Sequence, residues 1–139
     1  MKTSSFEEKI IYILNKEKVN FIREKKFKEL GQKRFDFYLV DLDILIEVDG
    51  QYHFTAVRNS RKKFLRHQEN DRIKNSFCLR NGIDLYRIPF WEINHVSTLN
   101  DLLQEKFKVK SKWHNDELRG DFTINEQTKR RTTKNSKGN

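Results

Sequence analysis

Three carboxylates in two apolar, strand-like segments are the residues of this chain best suited to chemistry. Asp36 lies in the first segment, and Glu47 and Asp49 lie in the second, beyond the turn residues 41–43. Because residues two apart on a strand point to the same face, we expect Glu47 and Asp49 to share one. Hairpin pairing of the two segments would bring Asp36 close to both.

Such a cluster has two interpretations. The acids could pair with the many lysines and arginines of the surface. Burying unpaired carboxylates, however, costs several kcal/mol, and a bound hard cation is the usual compensation. Asp36, Glu47 and Asp49 therefore predict a metal site, and their oxygen ligands favour Mg²⁺ or Mn²⁺. Such an ion polarises a phosphate and lowers the pKa of water for in-line attack.

A histidine and a helical stripe stand next to this cluster in the sequence. His53 follows the acidic pair, and its ordinary pKa of about 6.5 suits a general base or a group that stabilises a transition state. A structural role is the alternative. On the helix that follows, a spacing of i, i+4, i+7 and i+11 indicates one face, occupied by His67, Asp71, Lys74 and Cys78. This face is either a solvated one with an Asp71–Lys74 ion pair or part of the site, and Cys78 is expected in the core.

The charge balance favours a polyanionic partner. Lys and Arg total 29 against 20 Asp and Glu, a formal net charge of +9. Counterion release rewards cations that meet phosphates, so nucleic acid is the first candidate and a merely basic composition is the alternative. RNA is less favoured, because no stacking platform or RNA-binding motif is evident. Candidate phosphate-binding residues are Arg58, Arg61, Lys62, Lys63, Arg66, Lys129, Arg130 and Arg131.

The order of predicted elements indicates an α/β fold. The pattern predicts a helix from Ser4 or Ser5 to Lys16, strands over Val19–Phe27, Phe35–Val40 and Ile44–Asp49, a helix over Lys62–Arg80, a strand over Ile83–Ile88 and a helix over Thr98–Phe107. A meander followed by a helical crossover gives a mixed sheet of about four strands flanked by helices.

Composition divides the chain in two. Residues 1–108 hold nearly all the apolar residues and are predicted to be the folded domain, whereas 109–139 are predicted to be a flexible basic tail. Cys78 is the single cysteine, so no disulfide can form within the chain and a reducing, cytoplasmic setting is expected. No signal peptide or membrane span is predicted.

Several segments carry a resemblance to a known superfamily. They are Phe35-Asp-Phe-Tyr-Leu39, Leu45-Ile-Glu-Val-Asp-Gly-Gln-Tyr-His-Phe54 and Asn70-Asp-Arg-Ile-Lys-Asn75, with Gly82-Ile-Asp-Leu-Tyr-Arg-Ile88 behind them. Over about residues 6–90 the chain resembles the PD-(D/E)XK nucleases. Within them it is most similar to the EDxHD branch, which includes very short patch repair endonucleases and phage-type homing endonucleases. The resemblance implies a restriction-endonuclease-like fold.

The resemblance also implies roles for individual residues. The metal-binding acid of the second strand matches Asp36, and the helix-borne glutamate matches Glu7 better than Glu8. The histidine after the Asp-Gly turn matches His53, and the acid of the long helix matches Asp71. This sequence departs from the commonest pattern at Asp49, where a lysine usually stands, which leaves His53 or Lys74 as the source of positive charge.

The function implied is Mg²⁺-dependent hydrolysis of DNA, in a protein encoded by a phage or mobile element and working in the host cytoplasm. One alternative is a non-catalytic DNA-binding module on the same scaffold, which the missing lysine at position 49 favours. Another is a structure-selective nuclease of repair or recombination. A double-strand break by a single site requires a homodimer or two visits.

Overall fold

One four-stranded sheet organises the protein, which a computed structural model describes over residues 4–56 and 61–118. The strands are β1 (Phe21–Lys26), β2 (Arg34–Leu39), β3 (Ile44–Asp49) and β4 (Asp84–Pro89), in the spatial order β1-β2-β3-β4. The first three form an antiparallel meander, and β4 pairs in parallel with β3. The predicted α/β class, with about four strands in a mixed sheet flanked by helices, is confirmed.

The helices lie against the sheet and connect its strands. They are α1 (Ser5–Lys16), α2 (Arg61–Arg80) and the single turn α3 (Leu99–Leu102). Ser4 caps α1 by accepting a hydrogen bond from the backbone N–H of Glu7, as Ser at this position favours. Helix α2 provides the long crossover that a parallel strand pair requires. Within the described ranges, no helix is both long and apolar enough to cross a membrane.

Two apolar clusters cover the two faces of the sheet. The larger cluster joins α1 to the sheet through residues such as Ile13, Phe37 and Ile46. The smaller cluster joins α2 to the other face through Phe77 and Leu45, among others. Every second residue of β3 and β4 therefore faces α2, and this face carries acidic and basic side chains next to its apolar ones.

The predicted helix over Thr98–Phe107 is wrong in its length. Only Leu99–Leu102 is α-helical, and a separate 3-10 turn follows at Glu105–Phe107. In one continuous helix, Leu102 and Phe107 would point about 140° apart. The break between them lets both side chains enter the larger apolar cluster.

Residues 109–118, predicted as part of the flexible tail, pack against the domain. Lys108 bridges to Tyr86 of β4, and the N–H of Val109 donates to the carbonyl of Leu85 at 2.8 Å. Val109 is buried, and residues 114–118 are helical. A short stretch with few apolar residues can therefore dock through sheet pairing and polar contacts. Residues 119–139 of the predicted tail lie outside the described residues.

Helix α2 ends at Arg80, as predicted, and Asn81-Gly82 follows as the turn that stops it. Gly82 has φ +64°, and the N–H of Ile83 donates back to the carbonyl of Cys78 at 2.9 Å, which satisfies a carbonyl at the helix end. A side chain at residue 82 would meet open space, so only its backbone conformation demands glycine.

We expect Gly82→Ala to lower the free energy of unfolding by about 1–2 kcal/mol, because an L-residue is strained at positive φ. Urea denaturation measures this directly. Gly50→Ala is the matched control, since Gly50 has φ −75° and equally open space around it. An equal loss in both variants would show that backbone conformation at residue 82 is not the cause.

Candidate active site

The ladder between β2 and β3 opens where the acidic residues begin. Regular pairing ends at Phe37 and Ile46. At the next position, the backbone N–H of Asp36 donates to Glu47 Oε1 at 2.7 Å, and the N–H of Val48 donates to Asp36 Oδ2 at 2.8 Å. Carboxylate oxygens thus take the place of backbone carbonyls, and the two acidic side chains are held together between the strands.

Asp36 has an environment that disfavours its own charge. Burial raises its pKa well above the ordinary value, and the negative charge of Glu47 raises it further. The hydrogen bond from the Val48 N–H lowers the pKa of Asp36, the charge of Glu7 raises it, and the charge of Lys74 lowers it. Three acids therefore act on one another here, and a bound cation would relieve their repulsion.

Glu7 joins this group from α1. Its position in the first turn is set by Ser4, whose hydroxyl accepts from the N–H of Glu7 and donates to Glu7 Oε1. Glu7 Oε2 lies 2.5 Å from a guanidinium nitrogen of Arg23. Glu8, in contrast, is exposed. The structure thus places Glu7 rather than Glu8 next to the sheet acids.

Lys74 reaches the same acids from α2. Its ammonium lies 3.1 Å from Glu47 Oε2, and it also donates a hydrogen bond to the carbonyl of Arg34. Lys74 does not pair with Asp71 in this structure, so the solvated i,i+3 ion pair considered from the sequence is not what forms. Lys74 on α2 therefore provides a positive charge beside Glu47. The sequence had left the source of this charge open, because position 49 holds an acid.

Asp49, which the sequence predicted to be a metal ligand, is instead surrounded by protein hydrogen-bond donors. It is fully buried, and each of its oxygens accepts a hydrogen bond at 2.7 Å, Oδ1 from Arg87 Nη1 and Oδ2 from Asn115 Nδ2. Burial alone would raise the pKa of Asp49, but the charges of Arg87 and His53 and the Asn115 hydrogen bond hold it below the ordinary value. Asp49 is thus compensated by protein groups, unlike Asp36.

His53 and Asp71 form a close pair beside Asp49. His53 Nδ1 lies 2.7 Å from Asp71 Oδ2 and 3.0 Å from Oδ1, and 3.6 Å from Asp49 Oδ1. Asp71 is buried on α2, whereas the histidine follows β3 in a short 3-10 turn. Because Nδ1 contacts the acids, Nε2 is the ring nitrogen that remains for a substrate.

This environment makes His53 a cation at neutral pH. Burial alone would lower its pKa, but the charge of Asp49 and the hydrogen bond and charge of Asp71 raise it to about 9, against some repulsion from Arg87. A protonated imidazole can donate a proton or stabilise negative charge. Of the two roles predicted for His53, the geometry favours stabilisation of a transition state over general-base catalysis.

Asp49, His53 and Asp71 each present one ligand atom within 4.8 Å of the others, a spacing that could hold a metal ion. Arg87 Nη1, however, lies 2.7 Å from Asp49 and 3.5 Å from Asp71. A guanidinium cannot lose its charge at ordinary pH. Its presence among these acids disfavours a second cation, and the Asp36 and Glu47 pair is the better metal site.

The remaining predicted residues lie around these two groups. His67 is half-buried, with its ring centroid 4.7 Å from that of His53, and burial followed by the charge of His53 lowers its pKa. Cys78 is buried, which raises its pKa to about 12, as expected for a core residue. Arg61, Lys62, Lys63 and Arg66 are exposed along the start of α2. The other predicted phosphate-binding residues, Arg58, Lys129, Arg130 and Arg131, lie outside the described residues.

Sequence reasoning missed Arg87, the residue at the centre of the group formed by Asp49, His53 and Asp71. Arg87 is fully buried in β4, where it donates from Nε to Asn75 and from Nη1 to Asp49. Burial alone would lower its pKa, but Asp49, Asp71 and Glu47 raise it further above its ordinary value. The available signal was a lone arginine inside the apolar strand 84–89. Nothing in the local sequence pointed to Asn115.

Comparison with known proteins adds no relative: no family model, no curated protein and no solved structure matches this chain.

The raised pKa of His53 predicts a specific pH dependence of stability. The groups facing its ring are Asp49, Asp71, Arg87 and His67. With a folded pKa above the unfolded value of about 6.5, the protonated ring stabilises the fold fully below pH 6.5, and this contribution is lost as pH rises through about 9. It amounts to roughly 3 kcal/mol.

Urea unfolding of wild type and His53→Asn across this pH range measures the effect. The variant should lack the decline between about pH 6.5 and 9. His95→Asn, at an exposed histidine, should keep it. A decline of the same size in wild type and His53→Asn would contradict the assignment of this proton to His53.

Proposed function

We propose that this chain is a metal-dependent DNA endonuclease of the PD-(D/E)XK type, with a restriction-endonuclease-like fold and a site related to the EDxHD branch. The observation that carries the proposal is the pairing of Asp36 and Glu47 between β2 and β3, where each carboxylate accepts a hydrogen bond from a backbone N–H of the other strand. Burial and the charges of Glu47 and of Glu7 on α1 raise the pKa of Asp36, which agrees with this geometry. Acids held together in this way are the arrangement that a divalent cation compensates.

The donor set suits Mg²⁺ or Mn²⁺. Asp36, Glu47 and Glu7 offer only oxygen atoms, which these ions prefer. Within the described ranges, no hydrogen bond engages Asp36 Oδ1, so this oxygen is available as a ligand. When bound, the ion supplies charge that polarises the scissile phosphate and makes water acidic enough to attack. Asp49, expected as a third ligand, is instead held by Arg87 and Asn115.

The chain's own cations complete the chemistry. Lys74, beside Glu47, takes the place of the lysine usual at position 49 and can orient the attacking water or hold the phosphate. His53, protonated and fixed by Asp71, directs Nε2–H towards charge that develops on the phosphate or on the leaving oxygen. Lys74 acts on the substrate from α2, and His53 acts on it from the turn after β3.

Duplex DNA fits the charge beside this site. The first turn of α2 carries Arg61, Lys62 and Lys63 and no acidic residue. Cations at a helix N-terminus oppose the macrodipole, so they do not serve helix stability. They serve an anionic partner, for which a phosphate backbone is suited. Lys63 also lies over the ring of Tyr52, 4.2 Å from its centroid.

A binding module without catalysis remains the competing function. Its main support was the acid at position 49. The contact between Lys74 and Glu47 weakens that support, because the positive charge is present from another element.

Metal binding is tested first by stability. In EDTA, Asp36→Asn should be more stable than wild type, because a carboxylate whose folded pKa is raised destabilises the fold once ionised. Asn keeps an acceptor for the N–H of Val48. Saturating Mn²⁺ should raise the melting temperature of wild type by several degrees and leave the variant almost unchanged.

Asp43→Asn is the matched control for this experiment. Asp43 is an exposed acid at the opposite end of the same hairpin, and Asn tolerates its φ of +54°. It should respond to Mn²⁺ as wild type does. A full Mn²⁺ response in Asp36→Asn would move the metal away from Asp36.

Cleavage is tested with supercoiled plasmid. In Mg²⁺ or Mn²⁺, wild type should nick or linearise the DNA, and EDTA should stop it. Glu47→Gln and Asp36→Asn should cut at least about 100-fold more slowly, while retarding DNA at similar concentrations in a gel. Asp43→Asn should cut normally. Wild type that retards DNA in either metal but leaves it supercoiled would identify the binding module instead.

A further inference from the structure

We propose that residues 109–118 complete the active site, with Asn115 as a positioning residue that holds Asp49 in place for the His53–Asp71 pair. The inference rests on the proposed nuclease function, because it assigns a role within that site. Asn115 lies 66 residues beyond Asp49 in the chain, and its contact with Asp49 forms only when the end of the described domain is folded back onto the sheet.

Asn115 is built into the interior of the site. The residue is 3 % exposed, although Asn usually lies at a protein surface. Its Nδ2 donates to Asp49 Oδ2 at 2.7 Å, and its Oδ1 accepts from Asn75 Nδ2 at 3.3 Å. Both ends of the amide are therefore used, and both bonds lead to groups that contact Arg87 or His53.

Asp49 depends on this donor for its orientation. Oδ1 faces Arg87 at 2.7 Å and His53 at 3.6 Å, whereas Oδ2 faces Asn115. Without Asn115, Oδ2 would be a charged oxygen in the interior without its donor, and the carboxylate would be driven to turn towards the remaining donors. Such a turn would change the position of His53, whose Nδ1 contacts both Asp49 and Asp71.

Separate contacts dock the segment that carries Asn115. The N–H of Val109 donates to the carbonyl of Leu85 in β4, and the carbonyl of Lys112 accepts from Asn75 at 3.2 Å. Asp116 accepts two hydrogen bonds from Arg72 of α2, at 2.9 and 3.0 Å. The segment thus has its own attachment to the domain surface, and Asn115 reaches inward from it to the site.

The experiment compares two neighbours in this segment. Asn115→Leu removes the donor at similar volume, and Asn115→Asp places an acid against Asp49. Asp116→Asn is the matched control, because it weakens the surface attachment without touching Asp49. The measurements are the single-turnover cleavage rate of a DNA duplex in Mg²⁺, the Kd for the same duplex in Ca²⁺, and the NMR resonance of the His53 Nδ1 proton.

Both Asn115 variants should lower the single-turnover rate by about 10- to 100-fold, the range typical for residues that orient catalytic ligands. The Kd for DNA should stay within about twofold, and the Nδ1 proton of His53 should shift. Asp116→Asn should leave all three measurements close to wild type. Normal cleavage and an unshifted His53 resonance in Asn115→Leu would overturn the proposal.

Two further results distinguish a failure of the positioning role of Asn115 from a failure of the nuclease function. If wild type does not cut DNA, the nuclease function fails, but the His53 resonance still reports whether Asn115 positions this histidine. If neither Asn115 variant folds, hydrogen exchange of wild type decides. Backbone amides of residues 114–118 should be protected as strongly as those of β3, and exchange at the rate of a free peptide would overturn the docking of the segment.

Discussion

A fully buried arginine in β4 is the interaction on which the rest of the site depends. Removing a guanidinium from water is costly unless its charge is matched and its N–H groups have acceptors. The charge of Arg87 is balanced by Asp49 at 2.7 Å and Asp71 at 3.5 Å, and its Nε donates to Asn75 at 2.7 Å, whereas Nη2 has no hydrogen-bond partner among the described residues. These partners come from β3 and α2, so one buried charge fixes the relation between the sheet and the helix that covers it.

This arrangement divides the acids of the site into two kinds. Asp49 and Asp71 are balanced by Arg87 and His53, and they orient an imidazole that carries a proton at neutral pH. Asp36 has no ion pair among the described residues, and burial followed by the charge of Glu47 raises its pKa, whereas Glu47 itself lies 3.1 Å from Lys74. In the proposed function, the uncompensated carboxylate of Asp36 belongs to the cation site, and the protonated His53 on the other side faces the phosphate.

Sequence alone predicted the parts of this site that depend on local periodicity. Hairpin pairing of β2 and β3 was expected to bring Asp36 close to Glu47 and Asp49, and it does so for Glu47. Helical spacing placed Asp71 and Lys74 on one face of α2, without deciding whether that face meets the sheet or solvent. The environment of Asp49 could not be predicted, because its partners Arg87 and Asn115 stand 38 and 66 residues further along the chain. Composition likewise failed for residues 109–118, which dock through one buried apolar residue, Val109, through backbone pairing with β4 and through polar contacts with α2.

The carboxylate oxygens between β2 and β3 hold the hairpin together and also belong to the proposed cation site. The carboxylates of Glu47 and Asp36 occupy the acceptor positions that a continuous ladder would give to main-chain carbonyls, towards the N–H groups of Asp36 and Val48. Truncating either acid would therefore remove an acceptor from the hairpin as well as a ligand from the proposed cation site. Loss of activity after alanine substitution would not identify a ligand here, whereas the amide analogues retain an acceptor and separate the two effects. A change to Asn or Gln would remove the charge of either acid at less cost to the hairpin than truncation of its side chain.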